Sequence, residues 1–195
     1  MIIDKFDVYR ITVNNPSLIN HAQSWIDQGF NVINVPGITP ETMDVSEVDF
    51  YKKTVRDHAP IAEFTETEKA IFLSHRHLWK LCWQKDEAIV IIEEDVILKR
   101  TFNPVWNVDR LKYFCVGYNL KRPTPQKYRF TPAAGYIITP TLAKHLYTVT
   151  GEDKIRGNVD HYIKENRDDN SPSWAIDFAY QDPNRNRVGG IIDHE

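Results

Sequence analysis

Ala88-Ile89-Val90-Ile91-Ile92-Glu93-Glu94-Asp95-Val96-Ile97-Leu98 sets five consecutive apolar residues, four of them β-branched, directly against three carboxylates before the apolar run resumes. A run of this kind is the pattern of a strand buried on both faces in a parallel sheet. Three adjacent carboxylates repel one another and are expensive to bury, so at the end of a core strand they require a cation, water or basic partners. Ligands of open α/β sheets bind at the carboxyl ends of strands, where this cluster falls. Side chains alternate along a strand, so Glu93 and Asp95 are expected to project together and Glu94 to point elsewhere. Two hard oxygen ligands on one side suit Mg²⁺ or Mn²⁺ bridging a diphosphate, whose charge such an ion neutralises as a sugar leaves it. A plainer reading leaves Glu94 in water and pairs Glu93 and Asp95 with Lys or Arg.

Working outward, Thr65 to Lys85 places Ala70, Leu73, His77, Leu78, Leu81 and Cys82 at helical spacing, with Glu66 and Glu68 in the first turn, where the helix dipole favours them. Upstream, residues 6–13 read as a strand, 18–28 as a helix stopped by Gly29, and 30–35 as a second strand, which together make a βαβ unit. Residues 36–64 lack periodicity and read as a surface excursion with one short helix near Val45–Val55. Downstream, strands are expected at 113–117 and 135–138, followed by a helix with Thr139 as N-cap and Pro140 at N1 that runs to about Tyr147. A short helix at Val159–Glu165 and strands at 174–178 and 188–192 complete the order, with Asp168 to Pro172 as a turn. Alternating strands and helices predict an α/β fold with a mostly parallel central sheet flanked by helices.

The chain has 195 residues, 42% of them hydrophobic, enough for one domain with a substantial core, so 1–195 is read as a single domain. A formal charge of −3 with interspersed signs offers no basic stripe for a nucleic-acid backbone. No apolar run approaches the roughly 20 residues of a membrane helix, and acidic residues stand where a signal peptide would be apolar. A soluble, cytoplasmic protein is expected. Cys82 and Cys115 lie in apolar stretches without CxxC spacing and read as buried thiols.

Phe72-Leu73-Ser74-His75-Arg76-His77-Leu78-Trp79, followed by Ile89 to Leu98, resembles the core of glycosyltransferase family 25, the lipopolysaccharide-biosynthesis and procollagen galactosyltransferase group. Phe114-Cys115-Val116-Gly117, Ala134 to Thr139 with Ala143 to Leu146, and Val159-Asp160-His161-Tyr162-Ile163 look like later segments of that family in the same order. The resemblance implies a GT-A, Rossmann-related fold. It also implies transfer of a hexose, galactose or glucose, from a UDP-sugar to a saccharide or glycoconjugate acceptor, with Mn²⁺ or Mg²⁺ at Glu93 and Asp95. Glu94 stands where the family usually has aspartate, and Asn14-Asn15-Pro16-Ser17 lacks the arginine that commonly follows its first strand.

The same resemblance implies that Ser74 and His75 hydrogen-bond near the donor, although capping or packing would explain them as simply. Neighbours on a helix diverge by about 100°, so they do not form a nucleophile and base. Asp160 matches an acid on the acceptor side, the place for a general base; an acid in a first helical turn is also favoured by the dipole alone. His161 and His194 are candidates for a metal or phosphate contact. Tryptophans default to core packing, with Trp106 or Trp174 as a sugar-stacking platform. The competing class is a catalytically silent domain that binds a sugar nucleotide or glycan.

Overall fold

Strands form where β-branched and aromatic residues run together, and in the computed structural model those runs assemble into one seven-stranded sheet. The residues described are 2–3, 7–13, 16–51, 62–98, 106–107, 113–118, 133–166 and 175–181. The strands are β1 (Ile2–Ile3), β2 (Asp7–Thr12), β3 (Asn31–Pro36), β4 (Ile89–Glu93), β5 (Val96–Leu98), β6 (Trp106–Asn107), β7 (Tyr113–Tyr118), β8 (Gly135–Ile138) and β9 (Ala175–Gln181). The large sheet has the order β3-β2-β4-β8-β7-β9-β5, and β1 pairs separately with β6. The helices are α1 (Gln23–Ile26), α2 (Glu66–Lys85), α3 (Pro140–Glu152) and α4 (Val159–Asn166).

The expected βαβ unit is present, since β3 and β4 both run parallel to β2, but the sheet as a whole is mixed. β8 lies antiparallel to β4 and β7, β5 lies antiparallel to β9, and β7 runs parallel to β9. Parallel pairing therefore dominates only the first half, where crossovers are long enough to return a strand in the same direction.

Several element boundaries differ from the sequence reading. The segment expected as one helix over 18–28 is a 3-10 turn, Pro16–His21, followed by the single turn α1, whose first residues have no side-chain cap. Gly29 does stop it, with φ of 82°. No helix forms over residues 45–51, where Phe50 instead bridges to Ile155. α3 continues to Glu152, and Thr139 precedes it without a side-chain capping bond. On α2, His77 is exposed, and the deepest contacts come from Phe72, Leu78 and Trp79. The strand expected at 188–192 and the turn at 168–172 lie outside the described residues.

α2 is the element that fixes the site, and its start is chemically defined. Thr65 accepts the N–H of Glu68, and Glu68 accepts the N–H of Thr65 in return, so two otherwise orphaned donors are satisfied. Thr65→Ala is expected to lower stability by about 1 kcal/mol, read as a shifted urea midpoint at unchanged slope. The apolar face of α2 packs with α3, Tyr9, Ile89, Ile91, Tyr136 and Tyr162 on one side of the sheet. Trp25 and Phe30 cover Val8, Val90, Ile92 and Ile137 on the other. Cys82 is a buried free thiol whose pKa burial pushes up to about 12, which removes it from nucleophilic chemistry. No described helix is long and apolar enough to cross a membrane.

Candidate functional site

β4 delivers the three carboxylates into different surroundings, because the strand ends at Glu93 and the chain turns at Glu94 and Asp95 before β5. Strand alternation thus stops at Glu93, two residues short of what the sequence implied. Glu93 belongs to the α2 side: its Oε1 lies 3.8 Å from Nε2 of His75, and its side chain is 28% exposed. Its backbone N–H bonds the carbonyl of Ala134 at 2.7 Å. Next door, the N–H of Ala133 donates to Oδ1 of Asp160 in the first turn of α4. The pair Ala133-Ala134 therefore ties the end of β4 to the start of α4 and sets two acids side by side. Asn158 caps α4 by accepting the N–H of His161 at 3.1 Å. Gly157 makes that start possible, since a Cβ there would sit 2.8 Å from Cβ of His161.

The electrostatics follow from that closeness. Burial pushes the Asp160 carboxyl above its ordinary range; the Ala133 N–H acts the other way, Glu93 adds a like charge that raises it, and His75 and His161 lower it when they carry a positive charge. The net result is a carboxyl that holds its proton more strongly than a solvated one.

Glu94 and Asp95 meet a different partner. Arg10, on β2 opposite Ile92, is only 5% exposed; it donates to the carbonyls of Leu18 at 2.7 Å and Glu94 at 3.0 Å and to Oδ1 of Asn34 at 3.2 Å. Burial lowers its pKa while the charges of Glu94 and Asp95 act to raise it, so the guanidinium lies in the field of both acids. Glu94 Oε2 accepts the N–H of Val13 at 3.0 Å. Asp95 is 3% exposed.

Of the other residues singled out, Ser74 uses its hydroxyl within the fold, donating to the Ala70 carbonyl at 2.9 Å and accepting the Ile38 N–H at 2.8 Å. It thereby ties the loop after β3 to α2. His75 is fully buried, with Nδ1 2.8 Å from the Tyr136 hydroxyl. Both side chains are therefore buried, and their polar atoms face other parts of the fold. His161 is partly buried beside Asp160, while His194 and Trp174 fall outside the described residues and Trp106 is described by its backbone alone. Trp25 and Trp79 pack in the core, as their periodicity implies. Sequence reasoning missed Arg10, Tyr136 and the Ala133-Ala134 tie. The signal for Arg10 was available: a cation embedded in an apolar strand, Val8-Tyr9-Arg10-Ile11, needs a buried partner.

Comparison with known proteins supplies the family. No curated protein matches the chain. Twenty-four solved chains do. One is described as the crystal structure of a glycosyltransferase involved in the glycosylation of the major capsid of PBCV-1; it is 8% identical, aligns over 76% of this chain and 68% of that one, and has a TM-score of 0.42. Residues 20–115 match the profile of glycosyltransferase family 25 (LPS biosynthesis protein), a span that contains α2 and the Glu93-Glu94-Asp95 turn, and this match supports assigning the chain to that family of glycosyltransferases.

Proposed function

We propose that this protein moves a hexose, galactose or glucose, from a UDP-sugar to a saccharide or glycoconjugate acceptor where the end of β4 meets the start of α4, on a GT-A-like frame. The observation that carries the reading is the convergence of Glu93 and Asp160, from separate elements, through the Ala133-Ala134 tie. Asp160 is the general base. Its Oδ1 is oriented by the Ala133 N–H, and the carboxylate takes the proton of the acceptor hydroxyl as that oxygen bonds to the anomeric carbon and the bond to UDP breaks.

A divalent ion fits beside this base at Glu93. The residue is accessible, offers hard oxygen ligands, and contributes negative charge that already raises the Asp160 carboxyl. Asp95 fits less well, because it is almost completely buried and shares the field of Arg10. Among the described residues no three His, Cys, Asp or Glu side chains are grouped to hold a cation, so Mn²⁺ or Mg²⁺ would take its other ligands from the diphosphate and water, as Mg²⁺ commonly does. When bound, the ion supplies stabilisation of the departing diphosphate.

UDP is therefore expected to raise the melting temperature with Mn²⁺ present and not in EDTA. At about 100 times its dissociation constant, bound UDP adds roughly 2.7 kcal/mol to the native state. Equal shifts in both buffers would overturn the metal assignment. Slow Mn²⁺-dependent release of UDP from UDP-galactose or UDP-glucose then separates an active transferase from a domain that only binds.

A further inference from the structure

His75 has no solvent exposure, yet its two ring nitrogens face different chemistry. Nδ1 lies 2.8 Å from the Tyr136 hydroxyl, which also accepts the indole N–H of Trp79 at 2.8 Å. Indole nitrogen can only donate, so Trp79 takes one lone pair of the Tyr136 oxygen and favours the phenolic hydrogen pointing at His75. The imidazole then accepts at Nδ1, and its own hydrogen sits on Nε2. The other side of the ring agrees: Nε2 is buried without a hydrogen bond and lies 3.8 Å from Oε1 of Glu93. A bare nitrogen lone pair facing a carboxylate is unfavourable; an N–H facing it is favourable. The ring is held flat against Tyr136, with centroids 5.6 Å apart and planes 23° from parallel, so it cannot easily turn its nitrogens over.

We infer that His75 is a positioning residue: Trp79 and Tyr136 fix its hydrogen on Nε2, and from there it orients the Glu93 carboxylate at the mouth of the transfer site. The distance of 3.8 Å is longer than a hydrogen bond, and a small rotation of the partly exposed Glu93 side chain closes it. Buried partners that orient a ligand or base act in this way without touching substrate. The effect on turnover rests on the glycosyl-transfer reading given above, whereas the tautomer of His75 does not.

The test has two independent arms. Nitrogen-15 NMR of the full chain with labelled imidazoles is expected to show the His75 hydrogen on Nε2, and Tyr136→Phe to give a mixture of tautomers. A parent ring with its hydrogen on Nδ1 overturns the proposal. In the second arm, UDP release from UDP-galactose or UDP-glucose with Mn²⁺ is measured for two amide variants. His75→Gln places its amide nitrogen near the position of Nε2 and is expected to retain most of the activity. His75→Asn places its amide near Nδ1 and is expected to lose about 10–100-fold, the usual range for an outer-shell partner. Equal losses in the two variants, at matched melting temperature, would reduce His75 to a packing residue. If the parent releases no UDP from either donor, the transfer reading fails, and the tautomer result alone decides the relay.

Discussion

Asp160→Asn is expected to abolish most transfer while making the protein more stable at neutral pH. The loss should be roughly 10²–10⁴-fold, the range for removing a positioned general base. Metal-dependent binding of UDP should change little, because in the proposed function Asp160 acts on the acceptor rather than on the diphosphate. The stability effect has the opposite sign for a physical reason. Burial and Glu93 raise the Asp160 carboxyl above its ordinary range, so the native state holds that proton more tightly than the unfolded chain does. Its contribution to stability is then fully present below the ordinary carboxylate range and is lost as pH rises through the raised value. The amide has no charge to bury and can still accept the Ala133 N–H, so the variant should melt above the parent at pH 7. The gap should close as the pH is lowered and the parent becomes protonated. Melting curves across pH, calorimetric titration of UDP with Mn²⁺ and an assay of UDP release check the three parts. Unchanged turnover would leave Asp160 as a helix-start acid, and a variant that melts lower at pH 7 would show that the Ala133 contact outweighs the burial of charge.

How much of this was legible in the sequence depends on the range of the interactions. α2 was readable almost to the residue because its determinants are local: a capping box at Thr65 and Glu68 and apolar spacing along twenty residues. β4 was readable because a continuous β-branched run has few other destinations. The mixed direction of the sheet was not, since β8 is short and its pairing with β4 is decided by tertiary contacts that no local pattern encodes. The same division holds at the site. Glu93 and Asp160 could be nominated by position and by family resemblance, but their adjacency depends on Ala133 and Ala134, two alanines whose side chains carry no functional signal. Asp95 shows the same limit: the strand that would have set it beside Glu93 ends before it, and past the turn at Glu94 and Asp95 it lies near enough for its charge to act on Arg10.

Arg10→Met is expected to be the most destabilising single change at the site, by about 3 kcal/mol or more, since each buried acceptor left unbonded costs roughly 1–3 kcal/mol. The arginine donates to two carbonyls and to Asn34, and its charge lies in the field of Glu94 and Asp95 beneath the 3-10 turn and β5. Methionine fills much of the volume but leaves those acceptors unbonded and removes a cation whose field reaches Asp95. Asp95→Asn alone should cost less, because Arg10 keeps three acceptors. The double variant should recover part of the loss, a coupling of roughly 0.5–3 kcal/mol in a double-mutant cycle of urea unfolding. Strict additivity would show that Arg10 acts through the carbonyls of Leu18 and Glu94 rather than through Asp95. The same variants divide the acidic turn by function. If Arg10 is the cation that Asp95 serves, Asp95→Asn keeps most of the Mn²⁺-dependent UDP shift, whereas Glu93→Gln, which removes the accessible carboxylate, loses it. An Asp95→Asn protein that folds normally yet no longer responds to UDP and Mn²⁺ would instead make Asp95 the ligand of the ion and Arg10 the residue that holds it ready.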